Sequence, residues 1–174
     1  DNCDRCDLGW YSSDCSKQVE LLNVAENKRT YSSTYKNSKP GKKYARSMID
    51  SFESWKPKKS RKQSIVLNLD EKREIFGVRI QGRTRVREYV RKFKVEISDE
   101  KPNRKNNFSK SIKVDNDKEY GTFNFSSSDI RNDKYIDVYF DKPVCATYLK
   151  LIPRSFYKKV ALRVAPLISE NKCI

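Results

Sequence analysis

The chain has 174 residues and a formal net charge of +15, from 38 Lys and Arg against 23 Asp and Glu, with no histidine. That length suits one domain with a sizeable core. Ten Tyr, eight Phe and two Trp are too many for a disordered tail, so the 35% of charged residues fits a folded domain with long polar loops.

Residues 1 to 15, DNCDRCDLGWYSSDC, are rich in cysteine and carry no periodicity. From Val19 onward short segments read as strands: Ser64 to Leu69, Ile75 to Ile80, Phe93 to Ile97, Tyr135 to Phe140, Tyr148 to Ile152 and Val160 to Val164. Turn residues separate them, as in Lys39-Pro40-Gly41, Lys56-Pro57, Lys101-Pro102-Asn103 and Asp141-Lys142-Pro143. No helix of ordinary length is predicted, and Tyr44 to Phe52 suggests one or two turns at most. Pro102 to Lys113 reads as a polar, mobile insertion. After Tyr148 to Ile152 comes Pro153, then an aromatic and basic tip, Phe156-Tyr157-Lys158-Lys159. Val160, Leu162 and Val164 then resume the alternation, which predicts a strand, a protruding loop and a returning strand. Many short strands divided by turns predict an all-β, antiparallel sandwich or jelly roll of about eight strands.

The charge predicts an anionic partner: phospholipid headgroups, acidic glycans or nucleic acid. The five cysteines lie at 3, 6, 15, 145 and 173, near the two ends. Without a second CxxC or a histidine, a structural zinc site is not expected, and disulfides of an extracellular domain are. Asn107-Phe108-Ser109 and Asn124-Phe125-Ser126 fit the N-glycosylation sequon. Cysteines and sequons together argue against an intracellular, nucleic-acid-binding role. No apolar run is long enough to span a bilayer and no signal peptide opens the chain, so a piece of a larger secreted or surface protein is expected. Enzyme chemistry finds no support, since there is no His, no nucleophile elbow and no glycine-rich phosphate loop.

In chain order come Cys15-Ser16-Lys17-Gln18-Val19, the Ser/Thr-rich Tyr31-Ser32-Ser33-Thr34, Ala45-Arg46, Trp55 and Ile65 to Asp70. Gln81-Gly82-Arg83 followed by Tyr89-Val90 is the most specific element, and Phe140-Asp141-Lys142-Pro143, Tyr148 to Leu151 and Leu162-Arg163-Val164 close the run. Together these stretches resemble the discoidin family, the coagulation factor 5/8 type C domains of the galactose-binding-like fold. The resemblance implies one discoidin-like domain over 15–174. Residues 1–14, with Cys3-x-x-Cys6 and Gly9-Trp10-Tyr11, resemble the tail of an epidermal-growth-factor-like or laminin-type module.

The resemblance further implies both termini at one end of the sandwich and three projecting, ligand-binding loops at the other. Here these are Lys36 to Tyr44, Thr84 to Glu88 and Arg154 to Lys159. The implied binding residues are Lys36, Lys39, Lys42, Lys43 and Tyr44 on the first, Arg85 and Arg87 on the second, and Phe156, Tyr157, Lys158 and Lys159 on the third. Arg83 is expected to hold loops in place, and Trp55, Phe93 and Tyr148 to lie in the core. Relatives that hold calcium use an acidic residue in the last strand. Ala165 stands there and Asp50 alone makes no site, so no metal or cofactor is expected. The expected function is an extracellular adhesion or recognition module for anionic glycans or phospholipid headgroups. The alternative is a structural module that docks to a partner protein. The family match also sets Cys15 beside Cys173 as a disulfide, whereas the module-tail reading pairs Cys6 with Cys15 and leaves Cys173 for Cys145.

Overall fold

The computed structural model describes residues 10–11, 17–102, 108, 110–112, 125–126, 128–129 and 133–173. Among them are eight strands: β1 (Trp10–Tyr11), β2 (Lys17–Leu21), β3 (Arg29–Tyr31), β4 (Ile65–Gln81), β5 (Tyr89–Ser98), β6 (Lys110–Ile112), β7 (Tyr135–Tyr157) and β8 (Arg163–Lys172). All their pairings are antiparallel, in the order β1-β2-β8-β4-β7-β5-β6, with β3 on β4. The sequons at Asn107 and Asn124 and the cysteines at 3, 6 and 15 lie outside the described residues.

Two strands are much longer than the sequence predicts. Ser64 to Leu69 and Ile75 to Ile80 belong to a single β4, and Tyr135 to Phe140 and Tyr148 to Ile152 to a single β7. The register shows how each serves two layers. The first part of β4 meets β3 and the Tyr148–Leu151 stretch of β7, which continues onto β5. The later part of β4, from Arg73, meets β8 on one side and the Tyr135–Ala146 stretch of β7 on the other. Register shifts between Asn68 and Arg73 and between Ile75 and Gly77 mark the corner, where extra residues bend and twist a strand without ending it.

The inward faces of the two layers share one core. Ile65, Leu67, Val95 and Leu151 from one layer are buried in the same cluster as Val78 and Val164 from the other. Strict alternation in Ile65, Leu67 and Leu69 leaves Val66 and Asn68 half-exposed on the outer face, as the two-residue period of a strand requires. β8 is different, being buried on both sides from Arg163 to Ser169. The segment between β2 and Ser47 continues along the edge of β8 that β2 begins to pair. Leu22 N–H donates to the Pro166 carbonyl at 3.0 Å, and Val164 N–H donates to the Ser47 carbonyl at 2.8 Å. Arg29, itself buried, donates to the carbonyls of Val24, Ser47 and Val164, each at 2.8 Å. A strand covered on both faces reads as an unbroken apolar run, which hid its extent: it spans Arg163–Lys172, not Val160 to Val164.

The disulfide expected between Cys15 and Cys173 is corrected. Cys173 is bonded to Cys145, with their Cα atoms 5.9 Å apart. The sheet register explains the choice, because Arg73 of β4 pairs with Ala146 on one flank and Lys172 on the other. The residues next to those partners are the two cysteines, brought within bonding reach at the corner.

Candidate ligand-binding end

The first predicted loop is built of tight turns rather than free chain. A 3-10 turn at Tyr35–Asn37 leads to Gly41 and a second turn at Lys43–Ala45. Gly41 N–H donates to the Ala45 carbonyl, and the Arg46 guanidinium holds the Gly41 carbonyl at 2.7 Å. Lys36, Lys39, Lys42 and Lys43 are all exposed on this frame. Tyr44 is half-buried, its ring edge-on to Tyr35 with centroids 5.1 Å apart. The loop is laced to the segment behind it: Tyr35 N–H donates to the Lys56 carbonyl at 2.7 Å and Lys56 N–H to the Tyr44 carbonyl at 3.0 Å. Trp55, wholly buried, forms a bridge with Leu162 and so fixes this segment to the start of β8.

The motif Gln81-Gly82-Arg83 explains itself as a clasp. The Gln81 amide accepts from Asp50 N–H and donates both to the Asp50 carboxylate and to the Asp133 carbonyl. The Gly82 carbonyl accepts from buried Arg163 at 2.8 Å. Arg83 bonds the Glu88 carboxylate at 3.1 Å, approaches Glu53 at 3.9 Å and lies 5.7 Å from the centre of the Tyr44 ring. Arg83 thus joins the first and second loops, the structural role expected of it.

Between those loops sits an ion pair that no local signal announced. The Lys56 Nζ lies 3.2 Å from Glu88 Oε2, with both side chains only 10% exposed. The Lys56 ammonium also faces the rings of Tyr35 and Tyr44 at 5.4 and 5.8 Å. Burial disfavours the charged Glu88 carboxylate, yet the hydrogen bonds and charges of Arg83 and Lys56 outweigh it and hold its pKa below the ordinary value. A lowered carboxylate pKa contributes stability that is complete above the unfolded value, about 4.3, and is lost as pH falls through the folded value. Glu88→Gln should therefore destabilise the domain by about 1–3 kcal/mol at pH 7, since it leaves Lys56 without its carboxylate and Arg83 with only the more distant Glu53. Urea unfolding should show the gap between variant and wild type closing below about pH 4. A gap that stays constant into acid would refute the role of this carboxylate.

The second loop turns back sharply, with Arg83 N–H donating to the Glu88 carbonyl at 3.0 Å. Arg85 is exposed and its guanidinium lies 5.5 Å from the Phe52 ring centre. Arg87 is half-buried, 4.7 Å from the centre of the Tyr157 ring, and donates to the Phe125 carbonyl. Phe52 is 63% exposed beside Arg85, and Val86 is 39% exposed. Phe52 was missed because it sits in an aperiodic stretch, where an apolar residue gives no sign of its direction.

The third loop is shorter than predicted. β7 runs on to Tyr157, with Phe156 paired to Val90 and Tyr157 to Tyr89. Both aromatic side chains are half-buried against the core, and Tyr157 stacks on Tyr89 at 5.4 Å. The projecting tip is therefore Lys158 and Lys159, both exposed, while Tyr157 is the platform beneath Arg87. Contacts between Tyr44 and Arg83, and between Arg87 and Tyr157, bring all three loops to one end.

Lys36, Lys43, Arg85 and Lys158 all have positive φ, between 42 and 61 degrees. Left-handed backbone is uncommon for residues with a Cβ and costs about 1 kcal/mol or more each. Such strain gathers where surrounding structure holds a tip in a set shape. Glu53 and Glu88 among these loops both face Arg83. Lys39, Lys42, Lys43, Lys158 and Lys159 have no carboxylate partner among the described residues.

The family model described as F5/8 type C domain matches residues 28–165, and the chain belongs to that family. No curated protein matches it in sequence. Among solved structures it is similar to discoidin II of Dictyostelium discoideum, at 16% identity and a TM-score of 0.56, over 88% of this chain and 58% of that one. The chain thus spans a little over half the length of that protein. It is similar to the family 32 CBM from C. perfringens NanJ, solved with galactose, at 17% identity and a TM-score of 0.55, over 87% of this chain and 100% of the other. It is also similar to a chitosan-binding module of a Paenibacillus chitosanase/glucanase, at 14% identity and a TM-score of 0.57, over 84% and 98% of the two chains. These likenesses establish the antiparallel β-sandwich of the galactose-binding-like fold. No helix of the described residues is long and apolar enough to cross a membrane.

Proposed function

We propose that this domain is an extracellular recognition module whose basic loop end binds anionic glycans. The observation that carries the reading is the convergence of exposed lysines from the first and third loops with Arg85 and Arg87 of the second. Family 32 CBM and chitosan-binding relatives make a glycan the natural partner class. Chitosan is itself cationic, and a loop end of this charge repels it, so the sign of the ligand must differ here. The Cys145–Cys173 disulfide suits an oxidising compartment. Sulfate, carboxylate and phosphate groups share the required chemistry, so heparin and phosphatidylserine vesicles form two arms of one test.

Replacing Lys42, Lys43, Lys158 and Lys159 together with Ser should abolish most binding to heparin, measured by surface plasmon resonance. Wild-type affinity should fall about tenfold or more between roughly 50 and 200 mM salt, as for other polyanions that release counterions. Stability should change by no more than about 0.5 kcal/mol per exposed site. Heparin binding that survives the four substitutions overturns the reading. Binding to vesicles but not to heparin moves the ligand to phospholipid headgroups.

A second reading, docking to a partner protein, draws on Phe52, Val86 and Arg85, an exposed aromatic and aliphatic pair beside a guanidinium. Aromatic and arginine side chains of this kind are enriched at protein interfaces. Loss of partner capture in Phe52→Ser, with capture retained in the lysine variant, would favour it.

A further inference from the structure

A second concave feature lies away from the loops, on the outer face of the layer formed by β3, β4 and β7. It is a cleft of about 200 Å³. Three strands supply its floor: Thr30 from β3, Val66 and Asn68 from β4, and Tyr148 from β7. The ladder sets Thr30 beside Val66 and Asn68 beside Tyr148. A 3-10 turn carrying Asn27 and Lys28 forms one wall, and Lys101–Pro102, just past β5, forms the other. Tyr148 was expected in the core but is half-buried here, because the two-residue period turns it outward while Leu149 points in.

The cleft is lined with unused hydrogen-bonding groups. Among the described residues, the side chains of Asn27, Thr30 and Tyr148 make no hydrogen bond, and Asn68 uses only its Oδ1, which accepts from Asp70 N–H at 3.0 Å. That leaves the Asn68 Nδ2 donor available. Asp70 is itself paired with Lys28, so it does not set the charge of the cleft. Lys101 is exposed and has no ion pair among the described residues. Val66, Pro102 and the Tyr148 ring offer apolar surface for the C–H face of a sugar ring, while the amides, hydroxyls and ammonium suit its oxygen atoms. The volume lies below the roughly 300 Å³ at which pockets for drug-sized molecules begin. A cleft of this volume suits a single sugar ring.

We infer that this cleft is a second binding site, for a single pyranose ring bearing a carboxylate, as in a uronate-containing glycan. Lys101 meets the carboxylate, Asn68 Nδ2 and Thr30 bind hydroxyls, and Tyr148 with Val66 supports the ring. The site does not depend on the loop end. In the β5–β7 ladder, Tyr157 marks the loop end opposite Tyr89 and Tyr148 the far end opposite Ser98, roughly 30 Å apart at about 3.3 Å per residue.

The test is an NMR titration of the ¹⁵N-labelled domain with a tetrasaccharide of alternating glucuronate and N-acetylglucosamine at millimolar concentration. It is run on wild type and on the variant with Lys42, Lys43, Lys158 and Lys159 changed to Ser. Amides of Thr30, Val66, Asn68 and Lys101 should shift saturably in both proteins. Asn68→Asp keeps an acceptor for Asp70 N–H, loses the donor and adds a repelling charge, so it should abolish the shifts. Should that variant misfold, Lys101→Ser, at an exposed position, should weaken binding roughly fivefold. The carboxyl-reduced tetrasaccharide should bind weaker by a similar factor. Shifts confined to the loops, no shifts, or equal binding by the reduced sugar overturn the proposal. Failure of the loop reading alone leaves the sheet-face shifts intact.

Discussion

Replacing Gly77 with alanine is expected to destabilise the domain by about 3 kcal/mol or more. Gly77 lies in β4 at the corner, paired with Tyr139 of β7 and Leu167 of β8. A Cβ there would stand 2.3 Å from the Val138 carbonyl oxygen and 2.8 Å from the Tyr139 Cα. Both are backbone atoms in the neighbouring strand, so no rotamer change relieves the overlap and the ladder itself must part. Gly41 offers the contrast. Its φ of +77 degrees strains a side chain, but a Cβ would meet only Glu26 Cβ at 3.7 Å. Gly41→Ala should therefore cost about 1–2 kcal/mol, the backbone term alone. Urea unfolding followed by circular dichroism measures both. A loss at Gly77 no larger than at Gly41 would show that the corner can open.

Arg163→Met should cost about 3–5 kcal/mol, the range for removing one partner of a buried charged network. Arg163 is 1% exposed and donates to the Gly82 carbonyl, the Ser51 carbonyl and the Asp133 carboxylate, at 2.8, 2.9 and 2.7 Å. Methionine fills much of the space and satisfies none of them. The buried Gly82 carbonyl, the half-buried Ser51 carbonyl and the Asp133 carboxylate would lose this donor. Because Gly82 precedes Arg83 and the second loop, the same variant should loosen the loop end, seen as faster amide hydrogen exchange at Arg83 and Glu88. A stability loss below about 1 kcal/mol, or exchange unchanged at those amides, would mean water replaces the guanidinium.

Much of the scaffold was legible because period-two alternation is local. Ile65, Leu67 and Leu69 declare an inward face in five residues. The continuity of β4 and β7 was not, since Asp70-Glu71-Lys72 and Asp141-Lys142-Pro143 carry turn chemistry. In the fold Asp70 does adopt a left-handed φ of 67 degrees, capped by Asn68, but the chain bends into the second layer and pairs again. Only the partner strands reveal that.

The basic loop residues were likewise legible as composition, and the family resemblance gathered them at one end. The features that fix their shape were not. Lys56 and Glu88 meet only because separate loops fold together, and the cysteine pairing follows from the registers of three strands. Tyr148 and Phe52 show the same limit from the apolar side: an aromatic residue declares its bulk in the sequence, not whether it points inward.

The placement of β8 has a consequence for how the chain acquires its structure. It lies between β2 and β4, so Val19 meets Ser169 and Gln81 meets Arg163, while Ile65 waits for Leu151. Few of these pairings are local, and loop closure must precede the contacts that reward it, which places folding in the millisecond-to-second range. During synthesis β4 emerges roughly ten seconds before the part of β7 it joins, at about 5–20 residues per second. For that interval its apolar face and both edges are open, and Lys72, Arg73 and Arg79 within the strand discourage pairing between nascent chains. Among the described strands, β8 is made after the others and fills the place between β2 and β4.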